Sequence, residues 1–182
     1  MSGHNPFNPF PQLETERTIL RKLTLDDVEA IFDYCSREEV AQFVTWDVHK
    51  SLDDSKNFIH FAFERYANNQ VAPWGIVLKE NNQLIGTADF VWWQEQHKTA
   101  EIGYVLSSDY WGKGLMPEVV NKIIEFGFEQ MDLVRIQALC LVENEASERV
   151  MQKVGMEYEG ILRKRMFMKG KHRDLKIYSI VK

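Results

Sequence analysis

Apolar residues recur along the chain with two different spacings, and these spacings predict where its helices and strands lie. In the first half, a strand is predicted at 18–23 and two helices at 24–34 and 51–68. The Thr and Ser that open these helices are each followed three residues later by an acid, which is typical of helix starts. A short helical piece is expected near 38–41.

The second half alternates between strand-like and helix-like segments. The predicted strands are 72–79, 84–92, 99–106, 134–142, 158–168 and 172–181. The first three follow one another as an antiparallel meander, and the last two form a hairpin. A helix at about 116–130 connects 99–106 to 134–142, so these two strands are expected to lie parallel in a mixed sheet. A shorter helix begins at Asn144 and ends at Gly155, a residue that favours helix ends.

Together these segments predict a mixed α/β (α+β) fold with about seven strands and about four helices. The length of 182 residues suits one domain with a sizeable core. Residues 1–12 are rich in proline and are expected to form an irregular lead-in. The run at 134–142 is almost continuously apolar, which is typical of a central strand buried on both faces.

Charge and cysteine content argue against several classes of protein. The chain has 22 Lys and Arg against 27 Asp and Glu, a net charge of −5, so nucleic acid is not expected as its main partner. Cys35 and Cys140 lack disulfide or metal spacing and the histidines are scattered, so no metal site is predicted. No apolar run reaches about 18 residues and no export signal is visible, so we expect no membrane contact and a cytoplasmic location.

The glycine-rich segment Gly112-Lys113-Gly114 lies between a predicted strand and a predicted helix. Helix N-termini favour phosphate groups, because their first N–H groups are unpaired and the helix dipole is positive there. The segment lacks the residues of a Walker loop and the third glycine of a dinucleotide fingerprint, so a nucleotide-binding protein is disfavoured. On two glycines alone, an ordinary loop remains an alternative to an anion site.

Three segments together carry a resemblance to a known family. They are EIGYVL at 101–106, YWGKGLM at 110–116 and ENEASERVMQKVGM at 143–156. They resemble the GNAT N-acetyltransferases, and LETERTILRKL at 13–23, YEGILRK at 158–164 and IYS at 177–179 resemble its RimJ/RimL-type branch. The resemblance implies the GNAT fold, a twisted and mostly antiparallel sheet flanked by helices, with residues 13–182 forming a single acetyltransferase domain.

The resemblance also implies acetyl-CoA as co-substrate, with no metal. The family binds the CoA pyrophosphate through backbone amides, which fall here on 111–116, and Lys113 adds a positive charge unless it is simply a solvated loop lysine. Asp109 stands where the family has Arg or Gln, which puts side-chain help at that position in doubt. The cofactor-binding residues expected on this basis are Val105, Leu106, Trp111, Gly112, Lys113, Gly114, Leu115, Met116 and Asn144.

Two side chains are the catalytic candidates that the resemblance implies. Glu101 matches the family's general base, which takes a proton from the attacking amine; the alternative is a strand-end carboxylate that faces water. Ser147 is expected to protonate the leaving thiolate, because no tyrosine lies in 144–156, where many members carry one. Asn144 as helix N-cap, with Ser147 at the third helical position, is the structural alternative. A backbone N–H of the 99–106 strand, where the family carries a bulge, would stabilise the oxyanion.

The resulting hypothesis is an N-acetyltransferase in which a primary amine attacks the thioester directly in a ternary complex. The resemblance implies a protein N-terminal α-amine as acceptor, such as that of a ribosomal protein. Polyamines, aminoglycosides and amino acids remain alternatives, as does a CoA-binding module without catalysis. A homodimer is left open by the sequence.

Overall fold

The fold is built on one sheet of eight strands, described over residues 5–182 by a computed structural model. The predicted lead-in therefore begins outside the described residues, at 1–4. The strands are β1 (Leu13–Glu14), β2 (Thr18–Arg21), β3 (Trp74–Leu78), β4 (Leu84–Gln94), β5 (Thr99–Leu106), β6 (Arg135–Leu141), β7 (Glu157–Met168) and β8 (Lys171–Val181). The strand that the sequence did not predict is β1, which has only two residues and pairs with β2.

Five α-helices are described in the same part of the chain. They are α1 (Val28–Cys35), α2 (Glu38–Ala41), α3 (Leu52–Ala67), α4 (Leu115–Gln130) and α5 (Glu145–Lys153). The short α2 is the piece expected near 38–41, and the other four match the predicted helices. Thr24 and Ser51 both form capping boxes, in which the acid three residues later accepts a hydrogen bond from the cap backbone.

The strands are ordered β1-β2-β3-β4-β5-β6-β8-β7 across the sheet. Every neighbouring pair is antiparallel except β5 and β6, which are parallel and joined through α4. The mixed, mostly antiparallel sheet and the parallel crossover were therefore both predicted correctly. Within residues 5–182, no helix is both long and apolar enough to cross a membrane.

Strands β5 and β6 pair over only three residues and then separate. The pairs are Thr99 with Arg135, Ala100 with Ile136, and Glu101 with Gln137, although β5 continues to residue 106. The prediction of a bulge in β5 was wrong. The extra residue is Val91, which belongs to β4 and lies opposite the bond between Glu101 and Ile102 of β5. A bulge bends its strand and increases the local twist, and this one lies where β5 leaves β6.

The two faces of the sheet are covered by different helices. On one face, Trp74 and Phe90 pack on each other, and Trp74 also packs on Phe126 of α4. Phe7 and Phe10 of the lead-in are buried in the same aromatic cluster. Because side chains alternate along a strand, Thr87 and Asp89 point to the opposite face, where α1 lies.

The run at 134–142 is less buried than the sequence predicted. Ile136, Ala138, Cys140 and Leu141 are buried in β6, whereas Gln137 and Leu139 are only partly buried. Their face of the strand opens on the space left by the separation from β5. That space holds the candidate site.

Candidate functional site

A cleft with a volume of about 1000 Å³ occupies the gap between β5 and β6. Of the side chains and glycines predicted for the site, all but Lys113 line this cleft. The predicted residues that line it are Glu101, Val105, Leu106, Trp111, Gly112, Gly114, Leu115, Met116, Asn144 and Ser147. Segments far apart in sequence therefore meet at one place, because the sheet opens there.

The glycine segment turns tightly at one end of the cleft. Gly112 and Gly114 have φ angles of +73° and +75°, in the left-handed region that L-residues with a side chain rarely adopt. Gly114 is also the N-cap of α4, so the first N–H groups of the helix have no partner within it. The N–H of Trp111, one of the predicted donors, instead donates to the carbonyl of Ser108 at 3.3 Å. The unengaged amides are therefore those of 112–116.

Two side chains fix this loop in place. The indole of Trp111 donates to the carbonyl of Leu106 at 2.9 Å and so ties the loop to the end of β5. Arg17 was not predicted for the site, yet it donates to the carbonyl of Lys113 at 2.9 Å and to Glu118 of α4 at 2.8 Å. Its guanidinium therefore brings a positive charge beside Gly114 from the start of the chain.

Asp109, which departs from the family pattern, has a structural partner. Its carboxylate pairs with Arg37 at 2.8 Å, and Arg37 also donates to Asp33 of α1 at 2.7 Å. The hydrogen bond from Arg37 holds the pKa of Asp109 below its ordinary value. Asp109 therefore anchors the loop to the connection between α1 and α2 and does not line the cleft.

Lys113 is exposed and does not line the cleft. Its ammonium lies 5.0 Å from the centre of the Tyr110 ring, a distance at which a cation and an aromatic ring attract each other. This is the placement of a solvated loop lysine, which was the alternative that the sequence left open.

Glu101 ends the short paired stretch of β5 and is held there by its neighbour in β6. The side-chain amide of Gln137 donates to Glu101 Oε2 at 2.8 Å. Arg135 in turn donates to Gln137 at 3.4 Å and to Glu159 at 2.6 Å. Hydrogen bonds from Arg135 and Ser179 lower the pKa of Glu159 to about 2. This series of hydrogen bonds leaves Glu101 Oε1 without a protein partner among the described residues. The Glu101 side chain is half-buried and lines the cleft.

Asn144 and Ser147 lie across the cleft from β5. Asn144 is the N-cap of α5, and its side-chain oxygen accepts a hydrogen bond from the Ser147 N–H at 3.1 Å. The Ser147 hydroxyl lies 2.9 Å from the hydroxyl of Tyr104, a β5 residue that sequence reasoning missed. Burial raises the pKa of Tyr104 above its ordinary value, so its hydroxyl keeps its proton at neutral pH. Asn144 therefore caps α5 as the structural alternative predicted, and Ser147 also lines the cleft.

The cleft continues past β5 into a second, more apolar half. Its walls come from α1, the segment 43–49, α3, β4 and the β7–β8 hairpin, and they include Tyr34, Trp46, Phe58, Asp89 and Met166. No sequence motif marks this half, because its residues come from five separate elements. The alternation in 84–92 does place Thr87, Asp89 and Val91 on one face, and this was the available signal. Among residues 5–182, no cluster of His, Cys, Asp or Glu suits a metal ion.

Comparison of the sequence with known protein families finds a match to one of them. The family described as "Acetyltransferase (GNAT) domain" matches residues 17–157. YoaA of Bacillus subtilis, an uncharacterized N-acetyltransferase, is 38% identical over 173 residues, which cover 95% of this chain and 98% of that protein. The ribosomal-protein-serine acetyltransferase of Escherichia coli is 30% identical over 104 residues, which cover 57% of this chain and 58% of that protein.

Solved structures with the same fold include acetyltransferases. A GNAT-family acetyltransferase from Bacillus anthracis has a TM-score of 0.84 and 31% identity, and the match covers 94% of this chain and 98% of that one. The microcin C7 self-immunity acetyltransferase MccE, solved with acetyl-CoA and AMP, has a TM-score of 0.83 and 26% identity, with 92% and 93% of the two chains covered.

Proposed function

Because the chain belongs to the GNAT family and is an acetyltransferase, we propose that it moves an acetyl group from acetyl-CoA directly to a primary amine. The observation that carries this proposal is the position of one cleft. At one end it meets the unengaged amides of 112–116, and in its middle it holds Glu101 on one wall and Ser147 on the other.

The glycine loop supports binding of the CoA pyrophosphate. Five consecutive N–H groups and the positive end of α4 make an anion site. Arg17 adds charge and holds the loop through the Lys113 carbonyl. Beyond residue 101, β5 has no pairing with β6, so its backbone groups on that side are available to the amides of an extended co-substrate arm. Asn144 borders the same space.

Glu101 is proposed as the general base. An amine attacks a thioester only when it is neutral, so a proton must leave it, and Glu101 Oε1 is placed to accept that proton. As the new N–C bond forms and the C–S bond breaks, the leaving thiolate takes a proton from the Ser147 hydroxyl. Water returns that proton to Ser147, and Tyr104, 2.9 Å away, holds the Ser147 hydroxyl in place. Gln137 keeps Glu101 directed into the cleft.

Direct transfer, without an acetylated enzyme, agrees with the state of the cysteines. Cys35 and Cys140 both border the cleft, but burial raises the pKa of Cys35 to about 12 and that of Cys140 to about 11. The thiolate is the nucleophilic form of cysteine. Both thiols therefore stay protonated at neutral pH and do not compete with the amine.

A protein N-terminal α-amine is the proposed acceptor. This choice is supported by the Escherichia coli relative, whose name is ribosomal-protein-serine acetyltransferase. An α-amine has an ordinary pKa of about 8, against about 10.4 for lysine, so more of it is neutral at physiological pH and a weak base suffices.

The test is an acceptor screen with acetyl-CoA. Peptides with free N-termini, spermidine, an aminoglycoside and free amino acids are compared by thiol release and by the mass of the product, with N-terminally blocked peptides as controls. We expect transfer to free N-termini and none to blocked ones. Tight acetyl-CoA binding without transfer to any amine would overturn the proposal in favour of a CoA-binding module.

A matched pair of glycine variants tests the loop. Gly112→Val places a branched side chain at φ +73° beside the proposed pyrophosphate site, whereas Gly170→Val creates the same strain at φ +79° in the β7–β8 turn. We expect the first to weaken CoA binding by about tenfold or more and the second to leave it unchanged. Equal effects of both variants would mean that the loop has no special role.

A further inference from the structure

We infer that Asp89 forms an ammonium-binding position in the apolar half of the cleft. The acceptor is accordingly an amine whose single positive charge adjoins an apolar body. This inference rests on the proposed function and names the class of amine that the enzyme takes.

Asp89 is open to the cleft because its cross-strand neighbour has no side chain. It pairs with Gly103 of β5, and a Cβ atom at Gly103 would lie 3.2 Å from Asp89 Oδ1 and 2.8 Å from a methyl group of Val91. Glu101 lies two residues from Gly103 on the same face, roughly 7 Å along the strand. A glycine therefore separates the proposed base from a second carboxylate and leaves room between them.

The Asp89 carboxylate has no hydrogen-bond or ion-pair partner among residues 5–182. Arg65 of α3 is the nearest compensating charge, but it donates to the Val71 carbonyl at 3.1 Å and lies over the Phe61 ring. Burial raises the pKa of Asp89 to about 6, with Arg65 opposing the shift, so the carboxylate is still ionised at neutral pH. A charge removed from water without a partner is costly, and a bound cation is the ligand that removes this cost.

The Tyr34 side chain belongs to the buried wall of this half of the cleft. Tyr34 is 1% exposed and borders the cleft, and its hydroxyl makes no hydrogen bond of acceptable geometry. It faces Thr87, which precedes Asp89 on the same face of β4. Because the hydroxyl oxygen is closed off from the cleft, it is not available to a bound ligand, and Asp89 is the group that receives the ammonium.

The surroundings of Asp89 are apolar. Trp46, Phe58 and Phe61 line one side of this half of the cleft, and Met166 and Met168 line the other. Aromatic faces also attract cations. The body of the acceptor therefore meets rings and thioethers, while its charge meets Asp89.

The small number of carboxylates in the cleft argues against a polycation as the acceptor. Among the described residues that line the cleft, the carboxylates are Glu39, Asp89 and Glu101. Glu39 accepts a hydrogen bond from Ser108 at 3.0 Å, and Glu101 is held by Gln137. One unengaged carboxylate suits one ammonium group, whereas a polyamine has several charges to match.

The experiment measures steady-state constants for Asp89→Asn. The acceptors are tripeptides with Leu or Glu at the first position, and spermidine. We expect the wild-type enzyme to prefer the Leu peptide. Asp89→Asn should raise KM for that peptide about tenfold or more, as expected when a charged hydrogen-bond partner is lost. It should change kcat by less than about threefold and leave the affinity for acetyl-CoA unaltered. Tyr34→Phe, which removes a hydroxyl closed off from the cleft, should leave the same KM unaltered, and Asp26→Asn on the exposed surface is the matched control.

The outcomes separate this inference from the proposed function. No transfer to any amine by the wild-type enzyme defeats the proposed function itself. Transfer that proceeds with an unchanged peptide KM in Asp89→Asn overturns the ammonium site, because unaltered acetyl-CoA affinity shows that the variant is folded. A wild-type preference for spermidine over the Leu peptide overturns the acceptor class.

Discussion

The hydroxyl oxygens of Tyr104 and Ser147 lie 2.9 Å apart, one on β5 and the other on α5. The two elements border opposite sides of the cleft, so this contact crosses it where the thioester sulfur is proposed to lie. The Tyr104 hydroxyl also lies 3.2 Å from the Ser147 carbonyl. Burial keeps Tyr104 protonated, and the pair therefore holds two hydroxyl protons beside the leaving group.

Tyr104→Phe and Ser147→Ala should both lower kcat more than they change KM for acetyl-CoA. A loss of about tenfold is expected for each, because each removes one hydrogen-bonding group from the proton path. The double variant should be less impaired than the product of the two single losses, since the residues act together. Tyr158→Phe on the exposed face of β7 is the control. Unchanged kcat in both single variants would remove this pair from the mechanism.

Glu101→Gln should lower kcat by about a hundredfold, the usual scale for a general base. The loss should be largest at low pH, because at high pH a greater share of the amine is already neutral. The measurement is a pH–rate profile for the variant and the wild type, with Glu129→Gln on the surface of α4 as control. Profiles that run parallel across the whole pH range would show that Glu101 is not the base.

Arg17→Ala should weaken CoA binding by about tenfold while leaving acceptor KM unaltered. The variant loses both the hydrogen bond that holds the Lys113 carbonyl and the charge beside Gly114. Titration calorimetry with CoA is the measurement, and Arg163→Ala on β7 is the control. The prediction is wrong if CoA affinity stays within twofold of the wild type.

Asp89→Asn should make the protein more stable at pH 7.5 and not at pH 4. The pKa of Asp89 is raised from 3.8 to about 6 on folding, so the folded state binds a proton that the unfolded state releases. Wild-type stability therefore falls as the pH rises through this window. The gain in the variant is at most about 3 kcal/mol, because one pKa unit corresponds to about 1.4 kcal/mol.

The measurement for Asp89 is Tm against pH from 4 to 8 without ligands, again beside Asp26→Asn. A lower Tm for Asp89→Asn at pH 7.5 would mean that the carboxylate has a stabilising partner in the protein. That result would also remove the reason to place a cation there.

Local patterns were enough to predict most of the elements. Strand-like runs separated by turns located the meander, the spacing of apolar residues located α3 and α4, and helix-start and helix-end signals located α1 and α5. The glycine segment and Asn144 were found because their chemistry depends on neighbours within a few residues. The apolar run of β6 was predicted as fully buried, since the sequence does not reveal that its partner strand departs after three residues.

The residues that were missed depend on long-range geometry. Arg17 acts 96 positions away from the Lys113 carbonyl that it holds. Tyr104 gains its role only because α5 lies opposite β5. Asp89 is significant because Gly103 is its cross-strand neighbour. The prediction that the Trp111 N–H donates to the CoA pyrophosphate was wrong for a local reason, because this N–H already donates to the Ser108 carbonyl in the preceding turn.

The three-residue pairing between β5 and β6 makes the sheet two halves joined at one end. One half holds β1 to β5, and the other holds β6, β8 and β7. A co-substrate bound between β5 and β6, as proposed, would touch both halves and add hydrogen bonds where the ladder stops. Its binding energy then also stabilises the folded protein. We therefore expect occupancy of the cleft to fix the spacing between the proposed base and the proposed acid, so that the catalytic distances are set when the co-substrate arrives.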